Sequence, residues 1–175
     1  MSHPEQVQFF TSIYKAHREA FNGKKVLEIG SLYINGSLRD IFQGTSEYVG
    51  VDLGAGLGVD VISRGHKILF QDNYFDASVS AECFEHDQFW DKTFQKMVDV
   101  TKPQGFIVFS CATTGRAEHG TSRTDAGSSP FTQEYYQNLT EKDFEHKFNI
   151  SKLFQQYEFI LEKNHHDLYF WGQLF

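Results

Sequence analysis

Two β-rich runs, about Tyr157 to Lys163 and Asp167 to Leu174, are separated only by Asn164, His165 and His166. A parallel connection needs a dozen or more residues to cross over a sheet, so these two strands are expected to be antiparallel neighbours. Upstream the pattern is different. Lys24 to Gly30 is a short apolar run ending in glycine, as a buried parallel strand reads when it stops at a turn. Tyr48 to Leu53, Val59 to Ile62, Phe75 to Ser80 and Gly105 to Ala112 read as four further strands, with Pro103-Gln104-Gly105 as a turn. Helical spacing falls between them: a helix over about 2–21 with a capping box on Ser2 and Glu5, one over Asn35 to Gln43 stopped by Gly44, and one around Phe89 to Val98. Shorter helices are predicted around Phe131 to Tyr136 and Glu141 to Phe148. The fold class expected is α/β: a doubly wound, Rossmann-like, mostly parallel sheet with a C-terminal antiparallel strand pair. A chain of 175 residues fits one domain, 1–175.

Charge and cysteine usage narrow the partners. Sixteen Lys and Arg against 23 Asp and Glu give −7, the opposite of the basic field that a phosphate-backbone binder carries, so no nucleic acid is expected. No apolar run is long enough to span a bilayer, and MSHPEQVQFF does not read as a signal peptide, so a cytoplasmic protein without a membrane partner is expected. Cys83 and Cys111 are then expected to be free thiols. No Cys/His spacing matches a zinc site, and no metal is expected; adjacent His165 and His166 read as turn polarity.

In such a sheet, ligands sit beyond the carboxyl ends of the strands. Glu28-Ile29-Gly30-Ser31 closes the first strand, and Asp52 follows Gly30 by 22 positions at the end of the second, where a carboxylate can accept both hydroxyls of a ribose.

At these residues the sequence resembles the class I S-adenosylmethionine-dependent methyltransferases. VLEIGS, YVGVDL, FDASVSAECFEHD and KPQGFIVFS come in that family's order and spacing, and CATTGRAEHGTSR is similar to a subgroup of small members with a methyltransferase domain. The resemblance implies S-adenosyl-L-methionine as cofactor. It places Glu28, Gly30 and Ser31 at its methionine part, Asp52 and Leu53 at its ribose, Ala81, Glu82 and His86 near the transferable methyl, and His66 along the adenine. Two departures stand out. Leu32 and Tyr33 replace the usual second glycine, and Arg64-Gly65 stands where many members carry an acidic residue for the adenine amine, leaving Asp60 or a backbone carbonyl as substitutes.

The function expected is methyl transfer to a small soluble acceptor, such as a sugar or other polar metabolite. His119, on the loop after the fifth strand, is the candidate base, and Arg116 and Arg123 on the same loop are candidates for binding the acceptor. Thr113 to Pro130 is expected to order over the site. Tyr33, Phe84 or Trp90 are aromatic candidates for flanking it. Two other readings remain at this point: a non-catalytic module that keeps the cofactor pocket, and a nicotinamide-dependent oxidoreductase, which lacks its G-x-G-x-x-G here.

Overall fold

The computed structural model describes residues 3–132 and 134–175. Seven strands form one sheet in the order β3-β2-β1-β4-β5-β7-β6. They are β1 (Lys25–Ile29), β2 (Glu47–Asp52), β3 (Val61–Ile62), β4 (Phe75–Ala81), β5 (Thr101–Ala112), β6 (Phe154–Glu162) and β7 (Asp167–Leu174). Neighbours from β3 through β5 pair in parallel, whereas β7 runs antiparallel to both β5 and β6. The three-residue link between the last two strands thus has the predicted consequence. Strand order reverses between β1 and β4, which opens a crevice beyond their carboxyl ends.

Alternation along the strands builds two cores. Leu27, Ile29, Ile107, Phe109 and Phe170 face one side and are covered by α2 (Trp90–Val100), α3 (Glu141–Lys147) and α4 (Ile150–Leu153). Val26, Ala77, Val79, Phe106 and Val108 face the other side, beneath Phe9, Phe10 and Ile13 of α1 (Pro4–Ala16). Each fully buried Phe side chain contributes about 1.5–3 kcal/mol relative to exposure, so the abundance of Phe is spent mainly on these two layers.

Several elements differ from the sequence reading. The N-terminal helix stops at Ala16, and a 3-10 turn at Arg18–Ala20 follows. His3 caps it, its Nδ1 accepting from the Gln6 amide at 3.4 Å; Ser2 of the expected capping box lies outside the described residues. Over Asn35 to Gln43 there is only a 3-10 turn, Leu38–Asp40. Leu38 and Phe42 are buried as the spacing required, and the helical hydrogen bonding is one turn, the Ile41 and Phe42 amides both donating to the Leu38 carbonyl at 2.9 Å. No helix forms around Phe131 to Tyr136 among the described residues. That segment is pinned elsewhere: the Gln137 amide donates to the Glu85 carbonyl at 2.9 Å, and the Tyr136 hydroxyl to the Ala117 carbonyl at 3.2 Å. The Pro103-Gln104-Gly105 turn is present as an irregularity inside β5, where the register with β4 shifts and Gln104 adopts φ 65°.

Candidate active site

The carboxyl ends of β2, β1 and β4, with the segments after β4 and β5, surround a cavity of about 740 Å³. This lies within the usual range for small-molecule sites, roughly 300–1,000 Å³. In strand order, Asp52 and Leu53 stand at one end, Glu28 and Gly30 in the middle, and Ala81, Glu82, His86, Arg116 and His119 at the other.

The bend after β1 is built by backbone geometry. Gly30 has φ +80°, and a Cβ there would lie 2.7 Å from the Cβ of Cys83, so both conformation and space demand glycine. The chain then turns so that Leu32 N–H donates to Asp52 Oδ2 at 3.0 Å, while Leu53 N–H donates to Oδ1 at 2.7 Å. Asp52 therefore ties the end of β2 to the bend after β1. Partial burial pushes its carboxyl above the usual range, against the backbone donors from Leu32, Leu53 and Gly54. A carboxylate offers about four lone-pair sites, so it keeps acceptor capacity toward the cavity.

Glu28 lines the same hollow but is more deeply set. Burial raises its pKa to about 7, offset in part by the Tyr48 hydroxyl, which donates to Oε2 at 2.8 Å. Ser31 is buried, its Oγ has no hydrogen-bond partner, and it does not itself line the cavity.

On the other side of the crevice, Glu82 occupies the left-handed region at φ 49°, an uncommon conformation for a residue with a side chain and one concentrated at functional sites. Its Oε1 accepts from Gln6 Nε2 at 2.8 Å and from Ser110 Oγ at 3.2 Å, whereas Oε2 is buried without a hydrogen bond. Burial and the neighbouring Asp167 charge raise the Glu82 pKa to about 7. His86 is buried and its pKa falls to about 4, burial being the larger cause and His119 the smaller. The His86 and His119 rings meet edge to face at 5.0 Å, and both contact Tyr136. Gly120 allows that approach: its φ is +67°, and a Cβ would lie 2.7 Å from His86 Cε1. Arg116 donates to the His165 carbonyl at 2.7 Å and lies 4.0 Å from Glu82 Oε2.

Glu28, Gly30, Asp52, Leu53, Ala81, Glu82, His86, Arg116 and His119 thus border one cavity. Three other residues are placed differently. His66 packs its ring 4.7 Å from Phe89 and is not part of the lining; its neighbours Arg64 and Gly65 are. Arg123, expected to meet an acceptor, is not itself in the lining; it pairs with Glu118 at 2.7 Å and with Glu134, a lining residue, at 2.5 Å. Asp60 accepts from the Gly50 amide at 2.7 Å and from Arg39, away from the cavity. Among the aromatic candidates, Tyr33, Phe84 and Trp90 are not in the lining, and Phe84 and Trp90 belong to the core.

Sequence reasoning missed Phe131 and Tyr135, which form part of the wall. Phe131 lies against Gly54, where a Cβ would come within 2.2 Å of its ring. The helical reading of this segment hid them. Both cysteines are free, and no helix among the described residues is long and apolar enough to cross a membrane.

Comparison with known proteins fits this geometry. The fold matches a 1,6-didemethyltoxoflavin-N1-methyltransferase from Burkholderia thailandensis, solved with bound 1,6-didemethyltoxoflavin and S-adenosylhomocysteine, at a TM-score of 0.66 and 15% identity over 95% of this chain and 77% of that one. It also matches a phosphoethanolamine N-methyltransferase 2 from Haemonchus contortus, solved with phosphomonomethylethanolamine and S-adenosylhomocysteine, at a TM-score of 0.65 and 15% identity over 95% and 52%. At such identities the likeness carries the fold. No curated protein matches by sequence. Residues 27–109, which run from β1 through β5 and contain the Gly30 bend, Asp52 and the segment after β4, match the family model described as a methyltransferase domain. Residues 27–109 thus carry the match to a methyltransferase domain, and the chain as a whole shares the fold of the S-adenosylmethionine-dependent methyltransferases it is compared with.

Proposed function

We propose that this chain transfers the methyl group of S-adenosylmethionine to a small polar acceptor bound beside His86 and His119. One observation supports this above the rest: a carboxylate suited to a ribose and a buried carboxylate–imidazole group border the same cavity. When bound, S-adenosylmethionine supplies a methyl carbon on a positively charged sulfur. Everything else the reaction needs is positioning and proton handling by the chain.

In this reading Asp52 accepts the ribose hydroxyls with the lone pairs left over from Leu32 and Leu53. Leu53, Arg64, Gly65 and Phe131 flank the adenine, Arg64 and Gly65 taking the place first given to His66. Glu28, Gly30 and Ala81 hold the methionine portion, and Ser31 supports the bend from behind. The sulfur then faces Glu82, His86, His119 and Arg116. Holding nucleophile and methyl in line is worth up to roughly 7–11 kcal/mol in well-oriented systems. His119, with Glu85 Oε1 3.9 Å from its Nε2, belongs to the centre that activates the acceptor. Arg116 orients the acceptor, while Arg123 clasps the covering loop to Glu134.

A small acceptor is favoured because the cavity, about 740 Å³ and bordered by residues 128–132, Glu134 and Tyr135, is of a size that suits a metabolite beside the cofactor. The test is calorimetry followed by transfer. S-adenosylhomocysteine binds one to one and NADH does not, and labelled methyl passes from the cofactor to members of a pool of small hydroxylated compounds. Binding without any transfer would leave only a cofactor-binding module.

A further inference from the structure

Beside His86 and His119, which line the acceptor end of the cavity, lies buried ligand chemistry that methyl transfer does not use. Glu85 is fully buried, and neither of its carboxylate oxygens has a hydrogen-bond partner. Its place is fixed by the 3-10 turn Phe84–His86 that follows β4. His86, next in the chain, is buried with Nδ1 likewise unpartnered. His119 reaches the same point from the loop after β5. One ligand atom each from Glu85, His86 and His119 lies within 4.8 Å of the others. Glu82, four residues before His86, has a buried oxygen, Oε2, without a hydrogen-bond partner.

A buried carboxylate without donors is strongly disfavoured unless it takes a proton or meets a cation. Arg116, the side-chain cation that closes on Glu82, stays 4.0 Å from it and is directed to the His165 carbonyl and Asp167. Imidazole nitrogen with carboxylate oxygen suits first-row divalent ions such as zinc, manganese or cobalt. A second group, His3, Glu5 and His165, also converges, but its atoms are partnered: His3 Nε2 is bonded to Asp167, and His165 Nδ1 lies 3.2 Å from Glu162.

We propose that Glu85, His86 and His119 form a divalent-cation site that takes a hydroxyl of the acceptor. The proposal rests on the methyl-transfer reading and deepens it, making His119 a ligand rather than a free base and the acceptor an alcohol. Three protein ligands leave a position open for an acceptor oxygen. A cation there lowers the pKa of the coordinated hydroxyl. Its proton leaves to solvent, the oxygen forms its bond to the methyl carbon, and the electron pair of the breaking carbon–sulfur bond stays on sulfur.

The test uses the full chain after chelator treatment. Cobalt(II) is titrated by its visible absorption and manganese(II) by loss of the free-ion EPR signal, and each sample is also titrated with S-adenosylhomocysteine. One ion per chain is expected, with affinity at least tenfold weaker in His119→Ala and Glu85→Gln and unchanged in His165→Ala. Should Glu85→Gln fail to fold, His119→Ala, on a half-buried loop side chain, decides alone. No saturable uptake of either ion, native affinity in His119→Ala, or loss in His165→Ala instead would each overturn the site. Ion uptake with the expected variant pattern but no S-adenosylhomocysteine binding would uphold the cation site while the cofactor reading fails.

Discussion

The two halves of the cavity are built in different ways. The side around Gly30 and Asp52 is strand-end backbone locked by hydrogen bonds to Leu32 and Leu53, and its shape follows directly from the register of β1 and β2. The side around His86 and His119 is made of turns and loops, held by side-chain contacts such as Arg123 with Glu118 and Glu134. A scaffold of strand ends suits a part common to many chemistries, whereas loops suit what differs between them. The first side should therefore respond to substitution in cofactor affinity and stability, and the second in turnover.

The sharpest break of that division is His119→Ala. It is expected to lower methyl transfer roughly 100-fold, within the range for lost acceptor activation, while S-adenosylhomocysteine affinity stays within twofold. An equal fall in both quantities would erase the distinction between the halves. Asp52→Ala is the mirror case: calorimetry should show cofactor-product affinity more than tenfold weaker, since the site loses charge-assisted hydrogen bonds. Gly30→Ala probes the bend itself. Forcing a side chain into the left-handed region costs about 1–2 kcal/mol before its clash with Cys83 is counted, so the melting temperature should drop and cofactor binding with it.

Glu28 gives a pH-dependent test of the same side. Its folded-state pKa, about 7, lies above the ordinary 4.5, so the folded chain holds an extra proton between those values. Stability from this group is greatest at low pH and falls as pH rises through that window, by roughly 3 kcal/mol in all. Glu28→Gln should flatten the denaturation midpoint across pH 4.5–7 and exceed the parent at pH 8. An unchanged slope would show that Glu28 does not carry it. The smallest effect is expected from Arg123→Ala, in which hydrogen exchange in residues 113–130 speeds up while S-adenosylhomocysteine affinity moves less than twofold.

This contrast also explains what could be read from the sequence. Strand periodicity, the three-residue link before β7 and the Gly30-to-Asp52 interval are local patterns, and they predicted the sheet and the meeting of Gly30 and Asp52 at one cavity. The helix expected over Asn35 to Gln43 shrank to one turn, which already buries Leu38 and Phe42, the residues whose spacing suggested it. On the loop side, Phe131 and Tyr135 are positioned by contacts made far along the chain, with Gly54 and the segment after β4, so their own neighbourhood held no signal. Glu85 was equally hidden. Its burial next to two imidazoles is a property of the folded interior, and 33 positions separate His86 from His119.

The central claim is that the end of β2 and the bend after β1 grip one adenosine-bearing molecule whose sulfur points toward His86 and His119. A crystal structure of the chain with S-adenosylhomocysteine tests it most directly. The account predicts the ribose hydroxyls on the Asp52 carboxylate and the sulfur between Ala81 and the histidine pair. A ribose bound elsewhere, or a sulfur turned away from His86 and His119, would contradict it.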